Sequence, residues 1–101
     1  MKSLVFLDRA HRNLEEIREI SEGKWGTRVW ARRAHALDEA FERLKHDPSS
    51  GQKRDDLMKG MRSLTIAPHI AFFIERDDAV AVLRIVDGRR DLPGLDFGTG
   101  Q

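Results

Sequence analysis

The feature that most constrains this chain is a succession of three strand-like runs between residues 60 and 91. The runs occupy residues 61–67, 69–76 and 79–86, with Pro68 after the first and Asp77-Asp78 after the second. Proline interrupts a sheet ladder and aspartate tolerates turn geometry, so both breaks favour short connections. Three successive strands with short connections predict an antiparallel meander.

The first half of the chain predicts a strand followed by a helix. An apolar run at residues 3–7 predicts the strand, and Asp8 after it can cap the helix. The apolar stripe of this helix consists of Ala10, Leu14, Ile17 and either Ile20 or Ser21. Gly23 and Gly26 are expected to end the helix.

A second helix is predicted between Thr27, which can cap it, and Asp47-Pro48, which ends it because proline disfavours a helical residue before it. Its apolar stripe, with intervals of four and three residues, consists of Trp30, Ala34, Leu37, Phe41 and Leu44. Trp30 is therefore expected in the core. The short link between the helices predicts an antiparallel hairpin.

These elements together predict an α+β fold: an N-terminal strand, an α-helical hairpin and then a three-stranded antiparallel meander. The 101 residues suffice for one domain, which we place at residues 1–93. The remaining residues, 94–101, contain three glycines and little bulk, so we expect a flexible C-terminal tail.

Composition excludes several classes of function. The 18 basic and 17 acidic residues give a net charge of +1, so direct specific DNA binding is not expected. The chain has no cysteine, and its four histidines lack ligand spacing, so neither a metal site nor a cofactor is predicted. No apolar stretch approaches the roughly 18 residues of a membrane span, and no leader pattern is present, which favours a cytoplasmic protein.

The inner strands of the meander are apolar on both faces. Two helices can cover one face, so we expect the other face to receive an amphipathic segment of a partner polypeptide. The residues predicted to contact this partner are Trp25, Ile70, Phe72, Phe73 and Leu83. Two alternatives are a homodimer and a C-terminal segment folding back through Leu92, Leu95 and Phe97.

Several short motifs along the chain follow the order and spacing of a known family. They are Lys24-Trp25-Gly26, the AFERL run at 40–44 with Pro48 and Gly51, Asp56-Leu57 with Gly60 and Arg62, the HIAFF run at 69–73, and Arg84-Ile85-Val86 with Arg89 and Asp91. Together they resemble the RelE/ParE superfamily of bacterial toxins, and specifically its ParE branch, over residues 4–91. The chain has Phe73 where the family has tyrosine and Asp87 where it has histidine.

The resemblance implies the toxin of a type II toxin–antitoxin system, bound and silenced by a cognate antitoxin, for which we expect a ribbon-helix-helix protein. The partner-contacting residues named above then become antitoxin-binding residues. For the ParE branch the implied target is DNA gyrase, inhibited by binding. The alternatives are a RelE-like ribosome-dependent mRNA endonuclease and a non-toxic relic that retains only antitoxin binding.

The residues argue against the nuclease. RelE-type enzymes use lysine, arginine and tyrosine side chains, whereas this chain has no tyrosine, has Ile70 at the position of the strand arginine, and keeps only Arg90 of the pattern. Loss of one positioned acid or base commonly costs about 10²–10⁴-fold in rate. A substitute nuclease site would have to use Arg62, His69 and Arg84 together with Arg90. Whether the chain is an enzyme stays open, and we favour a role without catalysis.

The arginines near the end of the last strand are the second functional candidate. Arg84, Arg89 and Arg90 are predicted to bind the target, because a guanidinium makes paired hydrogen bonds to carboxylates or phosphates. The alternative is a solvated strand end paired with Asp87 and Asp91. His69, after Pro68, is expected to be a hydrogen-bonded or solvated turn residue rather than an acid or base.

Overall fold

A computed structural model of the protein describes residues 2–88. It is an α+β fold with two long helices, α1 (Asp8–Trp25) and α2 (Thr27–His46), and a short 3-10 helix at Pro48–Ser50. The five strands are β1 (Ser3–Phe6), β2 (Gln52–Lys53), β3 (Met61–Ile66), β4 (His69–Glu75) and β5 (Ala79–Asp87). The predicted fold class is confirmed. The predicted domain end at residue 93 and the tail at 94–101 lie outside the described residues.

The strands form one sheet in the order β1-β5-β4-β3-β2. The meander β3–β4–β5 is antiparallel as predicted, and β1 joins it in parallel beside β5. A parallel neighbour requires a long crossover, which the helical hairpin provides. The two-residue strand β2 was not predicted, because its residues are exposed and polar and carry no apolar alternation.

The helix ends differ from the prediction. Asp8 and Thr27 are the first residues of their helices rather than caps, and Gly23 lies inside α1. Gly26 alone separates the helices, with a φ of 88° and its amide donating to the Glu22 carbonyl. Glycine adopts this left-handed φ without steric cost, so the chain reverses direction at one residue.

One face of the sheet packs against α1 and α2. Its buried cluster consists of Ala10, Leu37, Ala40, Phe41, Leu44, Ile66, Ala71, Phe73, Val80, Val82 and Ile85. Ser21 rather than Ile20 continues the stripe of α1, since Ser21 is 3% exposed and Ile20 57% exposed. Trp30, predicted in the core, is only partly buried and lies outside this cluster.

The other face of the sheet is not bare, although we expected it to be left for a partner polypeptide. Met61, Phe72, Leu83 and Val86 are at most 2% exposed there. Leu57 and Met58, from the segment between β2 and β3, pack over them. The sequence did not predict that Leu57 and Met58 cover this face, because both lie among charged residues.

Hydrogen bonds and an ion pair hold that covering segment, residues 54–60, in place. The Arg54 amide donates to the Met61 carbonyl at 2.7 Å, and the Arg54 guanidinium pairs with the Asp56 carboxylate at 3.0 Å. The same guanidinium lies 5.9 Å from the centre of the Phe72 ring, within cation–π range. The Gly60 amide donates to the Asp55 carboxylate at 2.8 Å. The segment is therefore an ordered part of the fold.

Candidate partner-binding site

A groove of about 550 Å³ lies between the second half of α1 and the far end of the sheet. Helix α1 contributes Asn13, Glu16, Ile17, Ile20, Ser21, Lys24 and Trp25 to its lining. Arg33 enters from α2, Pro68 and His69 from the start of β4, and Ile85, Val86 and Asp87 from the end of β5. The position follows from the topology, since β1 pairs only with Ala79 to Val82 and leaves the last part of β5 to α1.

The rim of the groove is apolar and open to solvent. Trp25 is 61% exposed and Ile20 57% exposed, and they are the two most exposed large apolar side chains among residues 2–88. Trp25 closes α1 directly before Gly26, and that reversal keeps its indole outside the core. Exposed tryptophan is a frequent anchor in protein–protein contacts.

The floor of the groove holds basic groups. The Arg33 Nε is buried and has no hydrogen-bond acceptor among the described residues. His69 is 9% exposed, and burial, followed by the charge of Arg33, lowers the pKa of its imidazole, while Asp87 opposes this. His69 is thus a buried first residue of β4 rather than the predicted turn residue.

Arg84 is held by α1. Its Nε donates to the Asn13 Oδ1 at 3.1 Å, and the same oxygen accepts the Ile85 amide at 3.0 Å. Arg84, one of the predicted target-binding arginines, is only 9% exposed, so a target can reach little of its surface. Arg89 and Arg90 lie outside the described residues, as do Leu92, Leu95 and Phe97.

The five residues predicted to bind the antitoxin fall into two groups. Phe72 and Phe73 are fully buried and Leu83 is 2% exposed, so each is covered by this chain's own side chains. Trp25 is exposed and Ile70 half-buried. A partner meeting this conformation can reach Trp25 and, in part, Ile70.

The residues of the hypothetical nuclease site have separate partners. The Arg62 Nη1 donates to the carbonyls of Gly51 at 2.9 Å and Ser49 at 3.4 Å, which ties β3 to the loop after α2. Arg84 is bonded to Asn13, and His69 lines the groove together with Arg33. Arg90 lies outside the described residues. Arg62, His69 and Arg84 therefore lie among different sets of neighbours and are not grouped into one site.

Sequence reasoning missed Asn13 and Arg33. Asn13 directly precedes the stripe residue Leu14, and Arg33 stands four residues before the buried Leu37, so both border the buried face of their helix. That position is the only sequence signal either residue carries. Within residues 2–88, no three metal-ligating side chains are grouped, and neither helix combines the length and apolar character of a membrane span.

Known proteins resemble this chain in sequence and in fold. A family model described as the ParE toxin of the type II toxin-antitoxin system parDE matches residues 4–92. Toxin ParE3 of Caulobacter vibrioides is 31% identical over 75 residues, which are 74% of this chain and 74% of that protein. Toxin ParE1 of Mycobacterium tuberculosis is 26% identical over 84 residues, 82% of this chain and 86% of that protein.

A solved structure described as a chromosomal ParDE TA system from P. aeruginosa has the same fold. Its TM-score is 0.73 at 24% identity, and the match covers 86% of this chain and 96% of that one. The family match spans both helices, β2 to β5 and all of β1 except Ser3, and the family resemblance in the sequence is thereby confirmed. The chain belongs to the ParE toxin family of type II toxin–antitoxin systems.

Proposed function

We propose that the chain is a toxin that inhibits DNA gyrase by binding it and that a cognate antitoxin neutralises it. The observation that carries the proposal is the family match over residues 4–92. Gyrase is the target that the ParE branch implies. The antitoxin, for which we expect a ribbon-helix-helix protein, is the partner that a toxin–antitoxin family implies.

Binding is favoured over RNA cleavage by the arrangement of the basic side chains. A metal-free ribonuclease needs a general base, a general acid and cations within reach of one phosphate. Arg62 and Arg84 instead bond to Gly51 and Asn13, and His69 is buried beside Arg33. A side chain that already holds the fold together is poorly placed to meet a substrate.

The groove beside α1 supports a role for a partner polypeptide. Its rim exposes Trp25 and Ile20, and burying a large apolar side chain is worth about 1.5–3 kcal/mol. Its floor holds the Arg33 donor. We therefore place the antitoxin contact at this groove, with Trp25 as its anchor.

Induction of the protein in growing cells tests the proposal. Gyrase inhibition predicts filamentous cells with a DNA-damage response, and co-expression of the antitoxin should restore growth. Immediate arrest of protein synthesis with cleaved transcripts would instead indicate the endonuclease. Absence of any growth effect would indicate the non-toxic relic.

A pair of variants locates the antitoxin contact. Trp25→Ala should weaken antitoxin binding, measured as the dissociation constant of the purified pair, by tenfold or more, as is typical of an interface anchor. Val5→Ala is the matched control, because Val5 is also apolar and 45% exposed but does not line the groove. Equal effects of the two substitutions would contradict the proposed location.

A further inference from the structure

The floor of the groove contains a cationic donor that the described part of the fold does not use. The Arg33 Nε is shielded from solvent and has no acceptor among residues 2–88. Buried donors are nearly always satisfied, and hydrogen bonds to charged groups are among the stronger ones. An acceptor delivered from outside the fold would meet this need, and a carboxylate matches a guanidinium best.

The other charges around the groove do not supply that acceptor. Glu16 and Lys24 are both exposed on α1 at the groove and oppose one another in sign. Asp87, on β5, interacts with His69 and partly offsets the effect of Arg33 on it. None of these carboxylates is bonded to the Arg33 Nε.

The rim and the floor together define the chemistry of a ligand. Ile20 and Trp25 present apolar surface at the rim, and Ile17 extends it inward as a half-buried side chain. A ligand that fits both parts carries an apolar group next to a negative charge. A polypeptide segment with an acidic residue near a large apolar one has this character.

We propose that the groove binds a segment of the antitoxin that places an aspartate or glutamate carboxylate on Arg33 and an apolar side chain against Ile20 and Trp25. The choice of the antitoxin as the source rests on the proposed function. The requirement for an apolar carboxylate rests on the groove alone. The two parts are therefore tested separately.

A small probe tests the groove without any partner. The full chain is titrated with 4-phenylbutyrate and with its neutral counterpart 4-phenylbutyramide, and NMR follows the Trp25 indole and the His69 imidazole. We expect the acid to shift both signals and to bind about tenfold or more tightly than the amide, as a charge-assisted hydrogen bond predicts. Equal binding of acid and amide, or no shift at Trp25 and His69, would overturn the proposal.

Variants of neighbouring arginines assign the effect to one side chain. Arg33→Gln should remove the preference for the acid, whereas Arg32→Gln should keep it, because Arg32 is exposed on α2 and does not line the groove. Arg33→Lys retains the charge and should keep part of the preference. Circular dichroism of each variant confirms that it is folded, and an unchanged preference in folded Arg33→Gln would contradict the assignment.

Competition with the antitoxin then tests the occupant. If the antitoxin displaces 4-phenylbutyrate, and Arg33→Gln weakens the complex about 10- to 100-fold while Arg32→Gln does not, the antitoxin occupies the groove. An antitoxin that binds without displacing the probe would overturn this occupant. Failure of the wild-type chain to bind the antitoxin at all would count against the proposed function, while the probe titration would still decide the chemistry of the groove.

Discussion

Asn13 holds Arg84 against helix α1. Its Oδ1 accepts a hydrogen bond from the Arg84 Nε at 3.1 Å and another from the backbone amide of Ile85 at 3.0 Å. One carboxamide thus joins α1 to the part of β5 that β1 does not reach. We expect Asn13→Ala to lower the free energy of unfolding by about 1–3 kcal/mol, because it removes the oxygen to which the Arg84 Nε and the buried Ile85 amide both donate.

Urea unfolding of the purified variant measures this loss. Asn13→Asp is the control, since it keeps an acceptor oxygen at the same position and should remain close to the wild type. If Asn13→Ala and Asn13→Asp unfold alike, the acceptor role of Asn13 is wrong.

Gly51 leaves no room for a side chain. A Cβ at this residue would lie 2.5 Å from the Phe73 Cζ and 3.1 Å from the Ser63 carbonyl oxygen. Phe73 is fully buried, so it cannot move aside freely. Gly51→Ala should therefore lower the free energy of unfolding by about 1–3 kcal/mol, as overpacking does.

Gly23→Ala is the matched control for that substitution. A Cβ at Gly23 meets nothing within 4 Å, and the residue lies inside α1. Alanine at such a helical position should raise the free energy of unfolding by about 0.5–1 kcal/mol, and the melting temperature should rise with it. Thermal unfolding gives the melting temperature of both variants. A Gly51→Ala protein as stable as the wild type would show that Phe73 does leave room for a side chain at residue 51.

The buried His69 gives folding stability a defined dependence on pH. Burial and the charge of Arg33 lower the pKa of His69 below its ordinary value of 6.5. Below pH 6.5 the unfolded chain binds the proton more readily than the folded chain, so stability falls as the pH drops from 6.5 towards the folded-state pKa. Well above pH 6.5 His69 is neutral in both states, and it contributes no slope.

Chemical unfolding between pH 5 and 8 measures this slope, at roughly the range where histidine titrates. His69→Gln should make the free energy of unfolding depend less on pH below pH 6.5 than it does in the wild type. His46→Gln, the same substitution at an exposed histidine, is the matched control. An unchanged profile in His69→Gln would contradict the account.

Leu57 and Met58 are expected to shield the second face of the sheet in solution. Both pack over Met61, Phe72 and Leu83, which are at most 2% exposed. The double variant Leu57→Ala/Met58→Ala should expose this surface, bind an apolar dye and unfold at lower urea, because truncation of apolar side chains removes buried area. Equal dye binding by the double variant and the wild-type chain would show that the segment does not cover this face.

The fold could be read from the sequence because its periodic signals are strong. The apolar runs of β3, β4 and β5 and the 4-3-4-3 stripe of α2 are local patterns, and each produced the expected element. Regular alternation of side chains between the two faces of β5 is interrupted at one point, where a bulge opposite Phe72 and Phe73 shifts the register of the strand. Ile85 therefore joins the cluster of Val80 and Val82 rather than the opposite face.

The site was less predictable because it depends on contacts between distant segments. Trp25 was among the five residues predicted to contact a partner, and it does lie exposed at the groove. Arg33 from α2 and His69 from β4 line the same groove only because the tertiary fold brings these segments together, which no local pattern encodes. The inward direction of Leu57 and Met58 likewise arises from tertiary packing.

The proposed action on gyrase is tested most directly with purified components. DNA supercoiling by gyrase is measured with increasing amounts of the full chain, with and without the antitoxin, while ribosome-bound mRNA is incubated with the same protein. We predict dose-dependent loss of supercoiling, reversal by the antitoxin and intact mRNA. Unimpaired supercoiling together with cleaved mRNA would contradict the account.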